Sequence, residues 1–399
     1  MPKTIVIPVT LDTKGEETGY IRELIQGKGH NVLVVDVGVL GSPSVKADIS
    51  REEVAQAGGR SLQEVVQSAK KGADRTEGTN VMIKGIENIV SKLYAEGKLD
   101  GIISLGGSTG TAIGTAAMRV LPIGVPKLMV TTWFDAQSVG AKDIAMMQTP
   151  ADIMGLNSVM RRTLASAAGA IVGMTDAPTL APVKPLIGIT ALGVTTPAVM
   201  NIKPLLEERG LDPIVFHAKT QILDELIEEG RISGVIDLTP FEVLIPIAYH
   251  LPQSLMENRL RLAGDKGLPQ VIVPGGLDML IFRGTKESIP REYQERILHV
   301  HGPDTVLART TKEEVEGAAK IVAERSNKAA GPVAIVIPLQ GFSAVDKKGQ
   351  HFYNPDADSA FTCVIKGAVH EKVDIIEVAA HINDDEFAQQ LVAVFSRFF

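Results

Sequence analysis

Cysteine is almost absent from this chain, which has one cysteine, Cys363, among 399 residues. A single cysteine excludes a disulfide framework and a zinc site built from several cysteines. Long apolar runs are also missing: no stretch approaches the roughly 18 consecutive apolar residues that a membrane-spanning helix needs, and the N-terminus lacks the apolar core of a secretory signal peptide. We therefore expect a cytoplasmic protein with no membrane partner.

Clusters of positive charge are missing as well. The formal net charge is −7 at pH 7, and the sequence contains no dense run of Lys and Arg. Binding to nucleic acid requires a basic surface that meets the phosphate backbone, so we expect no nucleic-acid partner. The length and the 45% hydrophobic content are sufficient for a large core and for two or three domains.

The order of predicted elements repeats along the chain. An apolar strand, a polar turn, an amphipathic helix and a second strand open the sequence, and the same order returns in the second half. The matching segments are residues 4–9 and 186–189, 32–36 and 214–217, 97–103 and 230–236, and 125–130 and 268–273. Segments that recur in the same order indicate an internal duplication.

Each half alternates short, continuous apolar runs with amphipathic helices. Continuous apolar runs are typical of parallel strands that helices cover on both faces. The predicted fold is therefore α/β, with two doubly wound Rossmann-like domains of mostly parallel sheets related by duplication. Pro178 and Pro182, together with Pro185 directly after them, argue against a helix through residues 173–184, which we interpret as the linker. The predicted domains are residues 1–177 and residues 185–399.

A run of small residues follows one predicted strand of the first half. The strand that begins at Gly101 runs into a helix through Gly106, Gly107, Ser108, Thr109, Gly110 and Thr111. Glycine allows a ligand to approach the backbone, and the N–H groups at the start of a helix favour a phosphate or another anion. The alternative interpretation is a tight strand–helix turn without a ligand.

Four more polar residues follow the first two strands. In open parallel sheets, ligands bind beyond the carboxyl ends of the strands, so these residues are expected to meet the glycine-rich run. Lys14, next to Thr13, is interpreted either as a partner of phosphate or as a solvated lysine. Asp12 is interpreted as a metal ligand, a ribose contact or a helix cap. Asp36 is expected to approach a ribose, although a GxGxxG fingerprint is absent.

The second half of the chain has candidate catalytic residues that do not belong to one motif. His217, Asp237, Asp278 and His381 each lie near a strand end, where acid–base chemistry is expected. His299 and His301 alternate in a predicted strand, so both rings share one face, but no third ligand follows and we predict no metal site.

Two apolar stretches are candidates for contact with another subunit. One is the stripe of Ile86, Ile89, Val90 and Leu93 in a helical segment or helix pair over 56–96, and the other is the run 241–249. The alternative is that both pack inside their own domains.

Several motifs together resemble a known family. The runs LDTKGEE (11–17), VDVGVLG (35–41), GIISLGGSTGTA (101–112), GVTTPAV (193–199) and HINDDEFA (381–388) are similar to the uncharacterised Tm-1-like ATP-binding domain family. That family includes the ATP-binding N-terminal domain of the tomato mosaic virus resistance protein. The resemblance implies two Rossmann-like domains, ATP binding in the first half and self-association. Residues 219–222 depart from it, because a glycine-rich run usually follows Ala218 in the family.

A weaker resemblance bears on mechanism. Residues 106–111 look like the GGDGT loop of phosphofructokinase-type, lipid and NAD kinases, in which an Asp helps to organise Mg²⁺. Ser108 stands in the place of that Asp. The resemblance therefore implies a phosphate cradle and argues against a complete magnesium-dependent phosphoryl-transfer centre.

These observations lead to one main expectation and two alternatives. We expect a cytoplasmic nucleotide-binding protein with ATP as ligand, with or without Mg²⁺, whose reaction and status as an enzyme stay open. The first alternative is a metabolic enzyme that acts on a small phosphorylated or carboxylated substrate in the interdomain cleft. The second is a non-catalytic protein-interaction module. A homodimer or a higher homo-oligomer is expected, since two-fold dimers are the commonest closed assemblies.

Overall fold

The chain divides into two compact units, Met1–Leu180 and Ala181–Phe399. The computed structural model describes residues 1–71, 76–178, 184–218, 221–252 and 256–399. Residues 179–183 of the predicted linker lie outside the described residues, as do residues 219 and 220 of the segment that departs from the family pattern.

The first unit contains one parallel sheet and its covering helices. Its elements are β1 (Thr4–Val9), α1 (Leu11–Gln26), β2 (Asn31–Asp36), α2 (Arg51–Ala57), α3 (Leu62–Lys71), α4 (Thr76–Ala95), β3 (Gly101–Gly106), α5 (Ser108–Arg119), β4 (Lys127–Thr131), a 3₁₀ helix (Ala136–Val139), β5 (Ala145–Gln148) and α6 (Ser158–Asp176). The strands lie in the order β2-β1-β3-β4-β5, and each neighbouring pair is parallel.

Strand β1 shows why this sheet is covered on both faces. Its side chains alternate, so that Ile5 and Ile7 belong to the core formed with α1 and α6, whereas Val6 belongs to the core formed with α2, α4 and α5. All three are fully buried. A strand without a polar face can only be central and covered twice, which is what its continuous apolar run predicts.

The second unit repeats this plan and adds to it. Its elements are β6 (Leu186–Ala191), a 3₁₀ helix (Gly193–Thr195), α7 (Thr196–Glu207), β7 (Asp212–His217), α8 (Gln221–Glu228), β8 (Gly234–Asp237), a 3₁₀ helix (Phe241–Leu244), α9 (Ile245–Ala248), α10 (Arg261–Asp265), β9 (Gln270–Ile272), β10 (Met279–Arg283), α11 (Arg291–Gln294), β11 (Leu298–Gly302), β12 (Thr305–Arg309), α12 (Lys312–Lys328), β13 (Val333–Pro338), α13 (Pro355–Ala368), β14 (Val373–Val378), α14 (Asp385–Phe395) and a 3₁₀ helix (Ser396–Phe398).

The strand orders of the two sheets confirm the duplicated doubly wound fold. The sheet of the second unit has the order β7-β6-β8-β9-β13-β14, and its first five strands correspond in chain order to β2-β1-β3-β4-β5. This is the 2-1-3-4-5 order of one common doubly wound fold. A three-stranded antiparallel sheet, β10-β12-β11, is inserted after β9 and was not predicted.

Three local predictions were wrong. The polar turn expected after β1 is helical from Leu11, with one non-helical residue, Lys14 (φ −128°, ψ 21°), because its first turn closes through hydrogen bonds to Thr10. The helical segment over 56–96 is three helices, α2 to α4, and the first already begins at Arg51. Helix α6 extends to Asp176, so the predicted linker begins as helix, and Pro178 follows the end of the helix.

Neither apolar stretch proposed as a subunit contact is a free surface. Ile86 and Val90 are fully buried in the core of the first unit, and Leu93 is nearly so. Val243 and Leu244 are likewise buried in the second unit. Both stretches cover the sheets of their own units, so the alternative interpretation is confirmed. In the described residues, no helix is long and apolar enough to cross a membrane.

The burial of the helix stripe gives a stability prediction. Ile86→Ala is expected to lower the free energy of unfolding by about 2–5 kcal/mol, because it leaves a cavity in a filled core. Lys92→Ala, on the exposed side of the same helix, should change it by less than about 0.5 kcal/mol. Urea unfolding measures both values. A small effect of Ile86→Ala, together with a change in oligomeric mass, would restore the subunit-contact interpretation.

Candidate functional site

A cavity of about 360 Å³ lies beyond the carboxyl ends of β1, β2 and β3. These three strands are neighbours at the point where the strand order reverses, which is where ligands bind in doubly wound sheets. The lining residues are Thr10, Asp12, Thr13, Lys14, Val37, Val39, Leu40, Gly78, Thr79, Gly107, Ser108, Thr109, Gly110 and Ile113. The structure thus brings together most of the residues that the sequence indicated, from the two separate segments 12–14 and 107–110.

The start of helix α5 forms one wall of the cavity. Its N-cap residue is Gly107, which has no side chain to accept a hydrogen bond from the first N–H groups of the helix. A Cβ atom at Gly107 would meet only the Oγ1 of Thr132, at 3.5 Å. Glycine is therefore not required there by packing, and the backbone is open to a ligand.

Gly106 and Thr111 are at the same turn but do not line the cavity. A Cβ atom at Gly106 would lie 2.6 Å from the Cα of Gly110, so this glycine allows the strand end to touch the first turn of α5. The buried hydroxyls of Thr111 and Thr131 are 2.6 Å apart and connect α5 to β4. Both residues support the shape of the loop.

Asp36 holds two loops together instead of lining the cavity. Its buried Oδ1 accepts hydrogen bonds from the N–H of Leu11, at 3.2 Å, and from the N–H of Gly38, at 2.9 Å. Burial raises the pKa of Asp36 above its usual value, and the two backbone donors and Arg51 counteract this. The carboxylate thereby joins the segment after β1 to the segment after β2.

Asp12 and Lys14 remain at the cavity surface. The helix-cap interpretation of Asp12 is wrong, because Thr10 occupies the N-cap position and the Oδ2 of Asp12 accepts the N–H of Gly41 at 3.0 Å. Asp12 therefore also orders the loop after β2. Lys14 lies at the kink of α1, where the helix bends beside the cavity.

Sequence reasoning missed the apolar wall and the contribution of α4. Val37, Val39, Leu40 and Ile113 provide apolar surface, and Gly78 and Thr79 come from the first turn of α4. The adjacent glycine and threonine near a helix start were a signal that could have been noticed. Trp133, the single tryptophan of the chain, is 62% exposed and does not line this cavity.

The acid–base candidates of the second unit do not form one site. Asp237 is buried and pairs with Arg259 at 2.7 Å and with the Thr190 hydroxyl at 2.8 Å. The Nε2 of His381 is also buried and lies 2.9 Å from the carbonyl oxygen of Ser343. His217 is exposed and lines a different cavity of the same unit.

Three histidines gather near β11. The ring of His299 lies 6.2 Å from that of His301 and 5.8 Å from that of His351, measured between centroids. Burial and the two neighbouring rings lower the pKa of His299. Across the described ranges, no group of three or more His, Cys, Asp or Glu residues has a geometry that could hold a metal ion.

A buried acidic cluster lies around Arg309. Its guanidinium contacts Asp358 at 2.5 Å, and the Ser343 hydroxyl donates to Asp278 at 2.6 Å. Burial and the adjacent Asp346 raise the pKa of Asp278 to about 7 and that of Asp358 to about 9, although Arg309 acts in the opposite direction. One cation cannot compensate several buried carboxylates, so protonation stabilises this cluster.

Comparison with known proteins identifies the family. The N-terminal domain of the uncharacterised protein family UPF0261 matches residues 3–179, and its C-terminal domain matches residues 184–399. The chain belongs to this family. The relationship expected from the motifs is also confirmed, because the tomato (Solanum lycopersicum) ToMV susceptible protein tm-1(GCR26) is 34% identical over 339 residues.

Bacterial UPF0261 relatives match along almost their whole length. A UPF0261 protein of Clostridium tetani is 42% identical, with 97% of each chain covered. UPF0261 protein RA0729 of Rhizobium meliloti is 36% identical, with 98% of each chain covered. The match to the tomato protein covers 80% of this chain but only 44% of the tomato chain.

The solved structures found to be similar are distant. MurG of Acinetobacter baumannii is 11% identical with a TM-score of 0.23, and 99% of this chain and 100% of that chain are covered. UDP-N-acetylglucosamine 2-epimerase of Rickettsia bellii is 11% identical with a TM-score of 0.24, at coverages of 100% and 96%. Likeness at this level supports no statement about the function of the UPF0261 chain.

The acidic cluster predicts how stability depends on pH. A carboxyl group with a raised pKa in the folded state contributes stability that is complete below its unfolded pKa, about 3.9, and is lost as pH rises through its folded pKa. The free energy of unfolding of the wild-type protein should therefore fall as pH rises from about 4 to about 7. In Asp278→Asn this fall should be smaller by on the order of 2–4 kcal/mol. Urea unfolding at several pH values measures this, and the exposed Asp374→Asn is the control. An unchanged slope in Asp278→Asn would contradict the assignment.

Proposed function

We propose that the first unit binds a nucleotide, with ATP as the ligand, in the cavity beyond β1, β2 and β3. The observation that carries this proposal is the combination of three kinds of surface in one cavity. A glycine-capped helix start, a lysine and an apolar wall lie around the same space of about 360 Å³. This volume lies in the range of about 300–1,000 Å³ typical of small-molecule sites.

The phosphates would lie against the start of α5. The N–H groups in the first turn of a helix have no partner within the helix, and the helix dipole favours negative charge there. Gly107 leaves this backbone uncovered, and the hydroxyls of Ser108 and Thr109 are further donors. Lys14 supplies a positive charge from the neighbouring segment of the cavity wall.

The nucleoside would lie against the apolar wall. Val37, Val39 and Leu40 follow β2, and Ile113 belongs to α5. Among the described residues that line the cavity, Asp12 is the carboxylate, so it is the group that could approach a ribose hydroxyl or a Mg²⁺ ion carried by the phosphates. Asp36 has no direct role in this proposal, because its Oδ1 accepts from the backbone of two loops.

The resemblance to an ATP-binding domain supports the same proposal. It also supports self-association, which is part of the proposal. A cytoplasmic location, which the single cysteine favours, is part of the proposal as well. We propose no reaction, because Ser108 stands where the kinase loop has an Asp, and the acid–base candidates of the second unit do not meet in one site.

The binding proposal predicts the behaviour of two variants. Gly107→Asp should abolish ATP binding in calorimetry, because it places a carboxylate at the phosphate position, while the open space around this residue allows the chain to fold. Lys14→Met should weaken ATP binding by about ten- to a hundredfold and leave adenosine binding nearly unchanged, because the lost contact is to phosphate.

The matched control is Gly169→Asp. Gly169 is exposed on α6 in the same unit, and a Cβ atom there would meet nothing within 4 Å. This variant adds the same charge away from the cavity and should bind ATP normally. Failure of the folded wild-type protein to bind millimolar ATP would refute the proposal, as would normal binding by Gly107→Asp.

Self-association is tested by light scattering at micromolar concentration. We expect a mass of about twice the single-chain value of 42.6 kDa or more. A mass near 42.6 kDa would show that this part of the proposal is wrong.

A further inference from the structure

A second cavity, of about 450 Å³, lies within the second unit. Gly193 follows β6, Ala218 follows β7 and Phe241 comes shortly after β8, and all three line this cavity. In the duplicated fold, β6, β7 and β8 correspond to β1, β2 and β3, which surround the first cavity. We propose that this second cavity binds a small organic acid, namely a carboxylate attached to an aryl or branched aliphatic body.

The floor of the second cavity is apolar. Phe241, Met279 and Leu307 are buried, and the last two come from the inserted antiparallel sheet, which has no counterpart in the first unit. The Tyr249 hydroxyl is already bonded to the backbone of Ile281, accepting its N–H at 2.6 Å and donating to its carbonyl at 3.1 Å. The tyrosine therefore contributes its ring, and the floor favours an apolar body over a polar one.

The mouth of the second cavity has the opposite character. Its exposed polar side chains are His217, His301 and Arg283, which come from the ends of β7, β11 and β10. No Asp or Glu occurs among the described residues that line the cavity. Asp304 lies just outside the lining, 3.6 Å from the Arg283 guanidinium, and compensates part of its charge. An anionic head group at the mouth could accept hydrogen bonds from these side chains.

This distribution distinguishes an organic acid from other ligands. A cation would face arginine and histidine without a carboxylate among the described lining residues. A neutral apolar molecule would fill the floor and leave the rim without a partner. A carboxylate with an apolar body places its body on the apolar floor and its charged group at the polar mouth. An apolar lining with a few polar groups is typical of specific small-molecule sites.

The first experiment varies the ligand. The full chain is titrated by calorimetry with 3-phenylpropionate, benzoate and 4-methylpentanoate, and also with 3-phenylpropionamide and acetate. We expect saturable binding of at least one of the three larger acids, and binding at least about tenfold weaker for both the amide, which lacks charge, and acetate, which lacks the body. Equal binding of 3-phenylpropionate and its amide, or no binding of any acid at millimolar concentration, would overturn the proposal.

The second experiment varies the protein. A Cβ atom at Gly193 would meet only the Nε2 of His301, at 3.8 Å, so Gly193→Leu should fill the cavity without disturbing the core and abolish acid binding. Arg283→Gln and His301→Gln should each weaken binding by about two- to fivefold, a small effect because both side chains are exposed.

Matched controls lie at the opposite edge of the same sheet. Arg231 precedes β8 and His370 precedes β14, so Arg231→Gln and His370→Gln should bind the acid normally. Thermal unfolding checks that each variant is folded. Normal acid binding by folded Gly193→Leu would place the ligand elsewhere and overturn the proposal.

The two proposed sites can be separated. Gly107→Asp should leave acid binding unchanged, and Gly193→Leu should leave ATP binding unchanged, because each substitution lies in a different unit. Loss of acid binding in folded Gly107→Asp would contradict a site confined to the second unit. A failure of ATP binding in the wild-type protein would leave the acid titrations interpretable, since these use no nucleotide.

Discussion

The architecture of both units depends on one constraint, which is that their central parallel strands are buried on both faces. Neighbouring parallel strands are joined by crossovers, so every strand begins at one end of the sheet and finishes at the other. The segments that follow β1, β2 and β3 therefore collect at a single edge, although they are far apart in sequence. Asp36 stabilises this arrangement, because its buried carboxylate accepts the N–H of Leu11 in the segment after β1 and the N–H of Gly38 in the segment after β2.

The duplicated fold contains two different cavities at equivalent edges. In the first unit, glycine at the start of α5 leaves backbone exposed, and the surroundings are partly polar. In the second unit, the sheet β10-β12-β11 adds an apolar floor at the same relative position. Duplication kept the strand order and the location of the cavity, while loops and an insertion changed the chemistry of its walls. Function in such folds is determined by the loops, because the side chains of the strands are buried in the core and the loops carry the residues that a ligand can reach.

Buried charge is distributed unequally in the second unit. Asp237 forms a direct ion pair with Arg259, whereas Asp278 and Asp358 lie near Asp346 as well as near Arg309. The first arrangement is a paired charge, and the second depends on bound protons. The first pair joins the end of β8 to the segment before α10, and the contact between Arg309 and Asp358 joins the end of β12 to α13.

The sequence by itself determined the alternation of strands and helices, the duplication, the family and half of the residues around the first cavity. These follow from local pattern: the apolar period, the glycine-rich run at 106–111, and polar residues directly after strands. Only the tertiary structure decided the roles of Asp36 and Ile86 and the existence of the second cavity. A carboxylate at a strand end can meet a ribose or a backbone amide, and an apolar stripe can face a partner or its own sheet. The role of Asp36 depends on a residue distant in sequence, Leu11, whose N–H it accepts. The second cavity depends on the inserted sheet β10-β12-β11, and the pattern of its short strands does not indicate against which part of the unit they pack.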